Sequence, residues 1–570
     1  MAFFALIWSL AEPLYAINDD VMIESVLSGS YLRPYPLAYY FSAELGFLLS
    51  GLYGLLPGLP WLGLFYAGCH VGCLTSLLCL TGKRIRERIP RIMACVFLMV
   101  VLTALCFQEF VLMHYTVLAA LLGATGLVLF GAAKERKELW QPVCYFLLCY
   151  LVRENVFFML LPVIAVAFLY LLIQNGIAGW KEYLIPAISF MAAFLLLFGI
   201  NRGVLRGAEW KNYLEYNDVR TQVYDYLNVH TEEAALESYA AEGVTKEDVE
   251  VISSYDLALF SDGTGNLPAL KTVMAYGEKS RESTKDRLIW AVKHYVHRSL
   301  MQMDDFPLNY LVLIVYLGLL AFYVWKKKFI LLLPLAGLGC YRSAFWIFLL
   351  FRGRYPDRVI LSLYLLEFGL LAAMAFREIL QNEAEGKEQT DKEEAGKEQA
   401  MGKAYGNWIV FAVVTALFLG TALWNVKETR TLYRAQVNRN REDDCLTAYF
   451  EKHPDSFYFI DVYALVGRTK KVFAPTGNTK ENYLWMGGWM TRHPLYLEKL
   501  RSLFDGAENA GSVLRDRKGV YLALKEGKGA AKEKLEAWLG ARLVLTEKIE
   551  GTDCRFLIYE VEGPRQDKEN

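Results

Sequence analysis

Residues 36–56 read PLAYYFSAELGFLLSGLYGLL, and whether this run crosses a membrane decides the topology of the whole chain. It is about as long as a span needs to be, roughly 20 apolar residues. Its glycines, serines and tyrosines and the central Glu44 instead suit an amphipathic helix lying in the interface, one face in lipid and one on protein.

The surrounding sequence is that of a polytopic membrane protein. Of 570 residues, 55% are hydrophobic and 14% aromatic, a richness that soluble domains rarely reach. Apolar runs long enough to span fall at 61–81, 92–110, 115–133, 156–174, 183–200, 307–325, 329–350, 358–376 and 407–424. A shorter run, 140–152, ends at Arg153-Glu154-Asn155. Residues 1–17 are also short, contain Glu12 and Pro13 and lack a basic leader, so the first helix is expected to begin upstream of Met1. The bulky Leu14 two residues before Ala16 argues against a cleaved signal peptide. The formal net charge of -1 argues neither for nor against nucleic acid, but no basic domain, zinc-spaced Cys/His set, Walker A loop or dinucleotide fingerprint is present, so no nucleic-acid partner is expected.

Basic loops set the sidedness. Lys83-Arg84-Ile85-Arg86-Glu87-Arg88, Lys134-Glu135-Arg136-Lys137, Lys326-Lys327-Lys328 and the lysines of 377–406 all fall on one side if 140–152 crosses and 36–56 does not. That side is then the cytoplasm. The expectation is an α-helical polytopic protein of about eleven spans. Its N-terminus is cytoplasmic, its C-terminus extracytoplasmic, and Ile17–Pro60 forms one external loop with two short helices, Val21–Ser28 and 36–56. In the competing reading 36–56 spans, the first segment is non-spanning or reversed, and Asp19 and Asp20 move to the cytoplasmic side.

The domain plan follows. Residues 1–376 form a multi-span domain with external loops 17–60 and 201–306; 377–406 is a flexible charged cytoplasmic linker that repeats Gly-Lys-Glu-Gln; 407–424 is the last span; 425–570 is a small extracytoplasmic α/β domain. In that last domain Phe457–Asp461, Val520–Leu524, Arg542–Leu545 and Phe556–Val561 read as strands and Lys532–Leu539 as an amphipathic helix. Most cysteines lie in apolar runs and read as packing residues. Cys445 and Cys554 are free to pair if their domain is extracytoplasmic.

Asn18-Asp19-Asp20 is the leading chemical candidate. Adjacent carboxylates at the mouth of a span are costly there; they suit a general base or a metal ligand. The plainer alternative is that Asn18 or Asp19 caps a helix starting near Val21. Glu24 follows one turn after Asp20, with Tyr31, Arg33 and Tyr35 further along the loop. Arg352, Arg354, Asp357 and Arg358 form a cluster at an external span end, where guanidinium matches phosphate oxygens bidentately; headgroup anchoring is the alternative. Arg153 and Glu154 interrupt apolar sequence near the same face and either pair or reach a phosphate. Gln108, Glu109 and His114 make a further external cluster, and Glu367 lies inside a span. Tyr216–Arg220 and Tyr224–Tyr226 offer polar aromatic surface of the kind sugars favour. No Ser-His-Asp order and no paired His/Glu metal motif stands out.

This layout resembles the GT-C class of membrane glycosyltransferases, kin to protein O-mannosyltransferases and lipid A aminoarabinose transferases. The likeness rests on Asn18-Asp19-Asp20 directly after the first span, a long first external loop with short interfacial helices, and many spans ending in an extracytoplasmic domain. It covers residues 1–376 as architecture. It implies transfer of a sugar from a polyprenyl-phosphate carrier to a cell-surface glycan, lipid or protein acceptor at the outer face. Asp19 or Asp20 would be the base or a metal ligand. Arg352, Arg354 or Arg358, with Arg153 a weaker match, would hold the lipid phosphate. Glu154, Glu109 and His114 complete the candidate substrate set, with Glu109 or Glu154 as a second acidic residue and a divalent ion (Mg or Mn) left open. A lipid-linked-substrate transporter or flippase, or a non-catalytic envelope assembly protein, accounts for the spans without that chemistry.

Overall fold

A computed structural model describes residues 1–176, 179–260, 266–301, 305–390, 397–476, 480–551 and 555–563, without the side chains of residues 300 and 382–409. Among the described residues, nine helices are long and apolar enough to cross a membrane: Trp61–Arg84, Arg88–Val111, Tyr115–Ala132, Glu154–Asn175, Trp180–Val204, Leu308–Trp325, Phe329–Arg352, Asp357–Gln381 and Val410–Lys452. They coincide with the nine full-length runs expected from hydropathy and fit a multi-pass membrane protein. Ala2–Leu10 and Trp140–Val152 have only 9 and 13 residues. At 1.5 Å per residue they reach about 14 and 20 Å, short of a hydrocarbon core of roughly 30 Å.

Polar contacts sort the loops onto two ends of the bundle. At one end Arg84 donates to Ala132 O (2.8 Å) and Glu138 (2.6 Å), Arg377 to Gly131 O (3.0 Å), and Lys328 and Gln174 to Glu378 (2.6 Å each). All four basic segments therefore meet there. The other end gathers the first loop, the 111–116 turn, Arg153-Glu154, residues 201–213, 352–358 and the C-terminal domain. There the Ala16 amide donates to Met113 O (2.8 Å), beside a two-stranded parallel sheet pairing Leu14–Tyr15 with Leu112–Met113. Trp140–Val152, though short, runs from one end to the other.

The deciding stretch is too short as a helix to reach across a hydrocarbon core. It forms a 13-residue helix, Ala43–Leu55, and both its ends lie at the same end of the bundle. The Ser42 amide donates to Leu151 O (3.2 Å) and the Ala43 amide to Asn201 (3.1 Å); past the other end, Thr476 donates to Pro57 O and Leu59 O (3.0 Å each). Leu45, Leu49 and Tyr53 are buried while Phe47, Leu48 and Leu55 are exposed, the two faces of an interfacial helix.

The acidic helix spans Asn18–Ser28, one turn earlier than expected. Its N-cap is Ile17 and no side chain caps it. Asn18 and Asp19 are thus in the first turn, and the capping alternative does not hold. The carboxylates gain from the positive end of the helix dipole instead. Gly29 ends the helix at φ 86°, where a Cβ would also meet Pro34.

Residues 208–260 and 266–280 form a helical lobe outside the span bundle, with its own core around Tyr216, Val223, Tyr239, Ile252 and Leu270. The remainder of the 201–306 segment behaves differently. Thr284–Leu300 lies along the Leu332–Arg352 helix, with Arg287 donating to Phe351 O (2.6 Å) and Tyr295 bonded to Ser343 (3.0 Å).

Helix Asp357–Thr390 and the 56-residue helix Lys397–Lys452 run into the charged stretch from both sides. Its Glu, Lys, Ala and Gln are good helix formers. The second helix passes without a break into the C-terminal domain, where Leu446 and Phe450 pack on Tyr458 and Ile460. The sheet there holds Tyr483–Trp485, Phe457–Ile460, Val520–Lys525, Arg555–Glu562 and Arg542–Glu550 in that spatial order, parallel across the first three and antiparallel across the rest. Four strands and the helix Lys532–Leu539 match the expected segments; Tyr483–Trp485, three residues long, leaves no periodic signal. Cys445 is a free thiol, and Cys554 lies outside the described residues.

Candidate functional site

A cavity of about 430 Å³ opens at the end of the bundle that carries the first loop and the C-terminal domain. Three segments build it: the Leu37–Ala43 approach to the interfacial helix, the span ends around Arg153–Met159, Asn201–Leu205 and Leu349–Val359, and the external lobe through Trp210, Leu214, Thr221, Asp225 and Tyr226. Asp225 and Tyr226 reach it because residues 223–227 form a π-turn that breaks helical phase, a feature frequent at functional sites.

Four arginines line the cavity, and their partners divide them. Arg202 is paired with Glu154, and Arg354 with Asp225. Arg153 and Arg358 have no carboxylate within 4 Å among the described residues. Arg153 sits at the break between two helices with extended backbone (φ -154°), which turns its side chain out of both. Its guanidinium lies 4.8 Å from the Tyr40 ring and 5.2 Å from the Tyr115 ring. These two cation–π contacts, with the two rings stacked on each other, orient it without neutralising it. Arg358 projects from the first turn of the helix that starts at Asp357. Arg352 does not line the cavity; it rests 4.3 Å over the Tyr226 ring.

Asp19 and Asp20 differ sharply. Asp19 is half-buried, lies near Trp489 and is within electrostatic reach of Arg358 and Arg153, but does not itself line the cavity. Desolvation raises its carboxyl above the usual range, and the two guanidiniums and Trp489 pull it back. Asp20 is fully buried. Its Oδ1 accepts from Tyr66 Oη (2.8 Å) and the Tyr115 amide (3.2 Å), while Oδ2 has no partner among the described residues. Burial pushes it up to about 8, against the Tyr66 and Tyr115 bonds and with a further push from Asp19. Its burial favours the protonated form, and its bonds tie the acidic helix to two spans.

Other sequence candidates have structural partners. Glu109 is buried, accepting from the His114 amide (3.1 and 3.2 Å) and lying 3.3 Å from His70. His114 caps the next helix through Nδ1, which accepts from the Thr116 amide (3.0 Å), and burial holds its imidazole well below the usual range. Neither lines the cavity. Glu24 turns to the C-terminal domain, where Lys470 donates to it at 2.7 Å. Arg33 is held by Glu498, and Glu367 pairs with Arg342 (2.8 Å). Arg220 is held by Asn217 (2.9 Å) inside the external lobe.

Sequence reading missed Trp489, Asn201, Arg202, Trp210 and Tyr40. The one usable signal was Tyr224–Tyr226, part of which does line the cavity.

The donor set does not fit a divalent cation. Among the described residues no three His, Cys, Asp or Glu side chains converge. Glu154 is paired with Arg202, Glu109 is bonded by the His114 amide away from the cavity, and two guanidiniums lie near Asp19. What the cavity lining does hold is two guanidiniums, Arg153 and Arg358, without a carboxylate within 4 Å among the described residues. No family model matches this chain, and no curated protein or solved structure is significantly similar to it.

Proposed function

We propose that the chain is an integral-membrane glycosyltransferase that moves a sugar from a polyprenyl-phosphate carrier to a cell-surface glycan, lipid or protein. What supports this is that Arg153 and Arg358 line a cavity at one end of the span bundle with no carboxylate within 4 Å among the described residues, while Asp19, beside the lining, is within their electrostatic reach. An anionic leaving group and a base side by side are what displacement at a phosphorylated anomeric carbon needs.

In the proposed step Asp19 takes the proton from an acceptor hydroxyl as its oxygen attacks the anomeric carbon. The bond from that carbon to the phosphate oxygen breaks, and its electron pair leaves with the phosphate. Arg153 and Arg358 face the developing charge. Tyr39, Tyr40, Trp210 and Tyr226 offer aromatic faces for the sugar, and Val156, Met159, Leu205 and Leu349 form an apolar flank for the lipid chain. Asp20, bonded to Tyr66 and the Tyr115 amide, is a positioning residue.

The test is transfer by the purified chain in nanodiscs, supplied with polyprenyl-phosphate sugars and hydroxyl acceptors. Asp19→Asn is expected to abolish turnover while Arg352→Gln retains it. Full turnover by Asp19→Asn would sink the mechanism.

A further inference from the structure

We propose that the face of the long helix just beyond the last span binds a linear, phosphate-bearing polymer that runs away from the membrane. Lys427, Arg430, Arg434 and Arg441 are all exposed there. At about 100° per residue they fall within an arc of roughly 60° and make one straight stripe.

Packing does not explain this stripe. The opposite face carries the contacts: Tyr433 donates to Glu12 O (3.0 Å), Gln436 to Gly467 O (2.8 Å), and Asn440 accepts from the Thr469 amide (2.9 Å). None of the four cations has a carboxylate within 4 Å among the described residues. Lys427 touches only the Trp424 ring, 5.7 Å away. Two nearby acids are engaged elsewhere, Asp443 with Lys525 and Asp444 with Arg468, and the adjacent Glu428 and Glu442 form no ion pair with the four cations within 4 Å. Arg430 and Arg434 stand four residues apart, a like-charge spacing that costs helix stability. An anionic partner offsets that cost.

Reach decides between lipid and polymer. Lys427 to Arg441 is fourteen residues, about 21 Å of helix. A headgroup layer is only about 5–7 Å deep on each side of the hydrocarbon. Lipid headgroups therefore meet Lys427 and Arg430, while Arg434 and Arg441 stand clear at about 10 and 21 Å. An extended polyanion contacts all four. Three of them are arginines, whose fork matches phosphate oxygens bidentately, which favours phosphate over isolated carboxylate.

This surface is separate from the cavity and does not depend on the transferase reading. The experiment is fluorescence anisotropy of labelled inorganic polyphosphate with the full chain in nanodiscs of uncharged lipid. Expected are salt-sensitive binding and a loss of about tenfold or more in the Lys427→Gln, Arg430→Gln, Arg434→Gln, Arg441→Gln variant. The distal pair Arg434→Gln, Arg441→Gln should account for a substantial part of it. Unchanged thermal melting shows the exposed variants fold. Equal binding by the fourfold variant, or no binding at all, overturns the proposal. So does binding confined to anionic vesicles that needs only Lys427 and Arg430, which assigns the stripe to lipid. Asp19→Asn should bind polyphosphate as wild type does, so a failure at the cavity reads out separately.

Discussion

Lys470 of the C-terminal domain donates to Glu24 of the acidic helix at 2.7 Å, with Glu24 buried and Tyr15 bonding its other oxygen. The acidic helix is thus clamped from the side away from the bundle. The same domain adds Glu481, which accepts from Ser25 (2.6 Å) and whose amide donates to Ser30 O (2.9 Å). Lys470→Met leaves Glu24 buried without its cation, and we expect a loss of about 2 kcal/mol or more. Thermal unfolding of the purified chain measures this, and adding Glu24→Gln should recover much of it.

Asp19 and Asp20 should separate in kinetics. Asp19→Asn removes the proposed base and should lower turnover by about 10²–10⁴-fold. Asp20→Asn keeps a group of the same shape and should cost far less. Steady-state rates of the two variants check this, and a larger loss at Asp20 would exchange their roles.

The arginines should follow their pairing. Arg153→Gln and Arg358→Gln each remove a charge facing the leaving group and should cost about 2–4 kcal/mol in kcat/KM. Arg352→Gln, outside the cavity, should stay within about threefold of wild type. Equal losses at all three would mean that the span-end arginines anchor the fold.

Asp256 of the external lobe and Asp461 of the C-terminal domain are both buried, each with one oxygen lacking a partner among the described residues. They join the two pieces beside the Ala258 amide, which donates to Met486 O (2.8 Å). Burial raises both carboxyls, Asp461 to about 6, and each raises the cost of ionising the other. A raised carboxyl favours the docked state while protonated. The contribution is full below the ordinary range near 4, and is lost as pH rises through about 6 and beyond. Hydrogen-exchange protection at the 255–260 loop, corrected for intrinsic base catalysis, should therefore fall between pH 5 and 8, and Asp256→Asn should flatten that dependence. Protection independent of pH would refute a role for these carboxyls in docking.

The helical frame was readable because hydropathy and loop charge are local properties. Glu44 and the glycines of 36–56 set that run apart from the spans, and period-two runs marked Phe457, Val520 and Phe556 as strand residues. The cavity was only partly readable. Asp19, Arg153 and Arg358 stood out as charges at span ends, but nothing local tells that Asp225 neutralises Arg354, that Glu154 neutralises Arg202, or that Trp489 comes to Asp19. Those depend on tertiary placement. The π-turn at 223–227 likewise carries no composition that separates it from ordinary helix.

The unbroken helix Lys397–Lys452 has a mechanical consequence. It has no joint between bilayer and domain, so it acts as a ruler and a torsion bar together. One inserted residue near Leu423 would turn the domain by about 100° and lift it by about 1.5 Å. Either change would carry Lys470 and Trp489 away from Glu24 and Asp19. The number of residues between the last span and the sheet is therefore as tightly constrained as the identity of any side chain at the cavity.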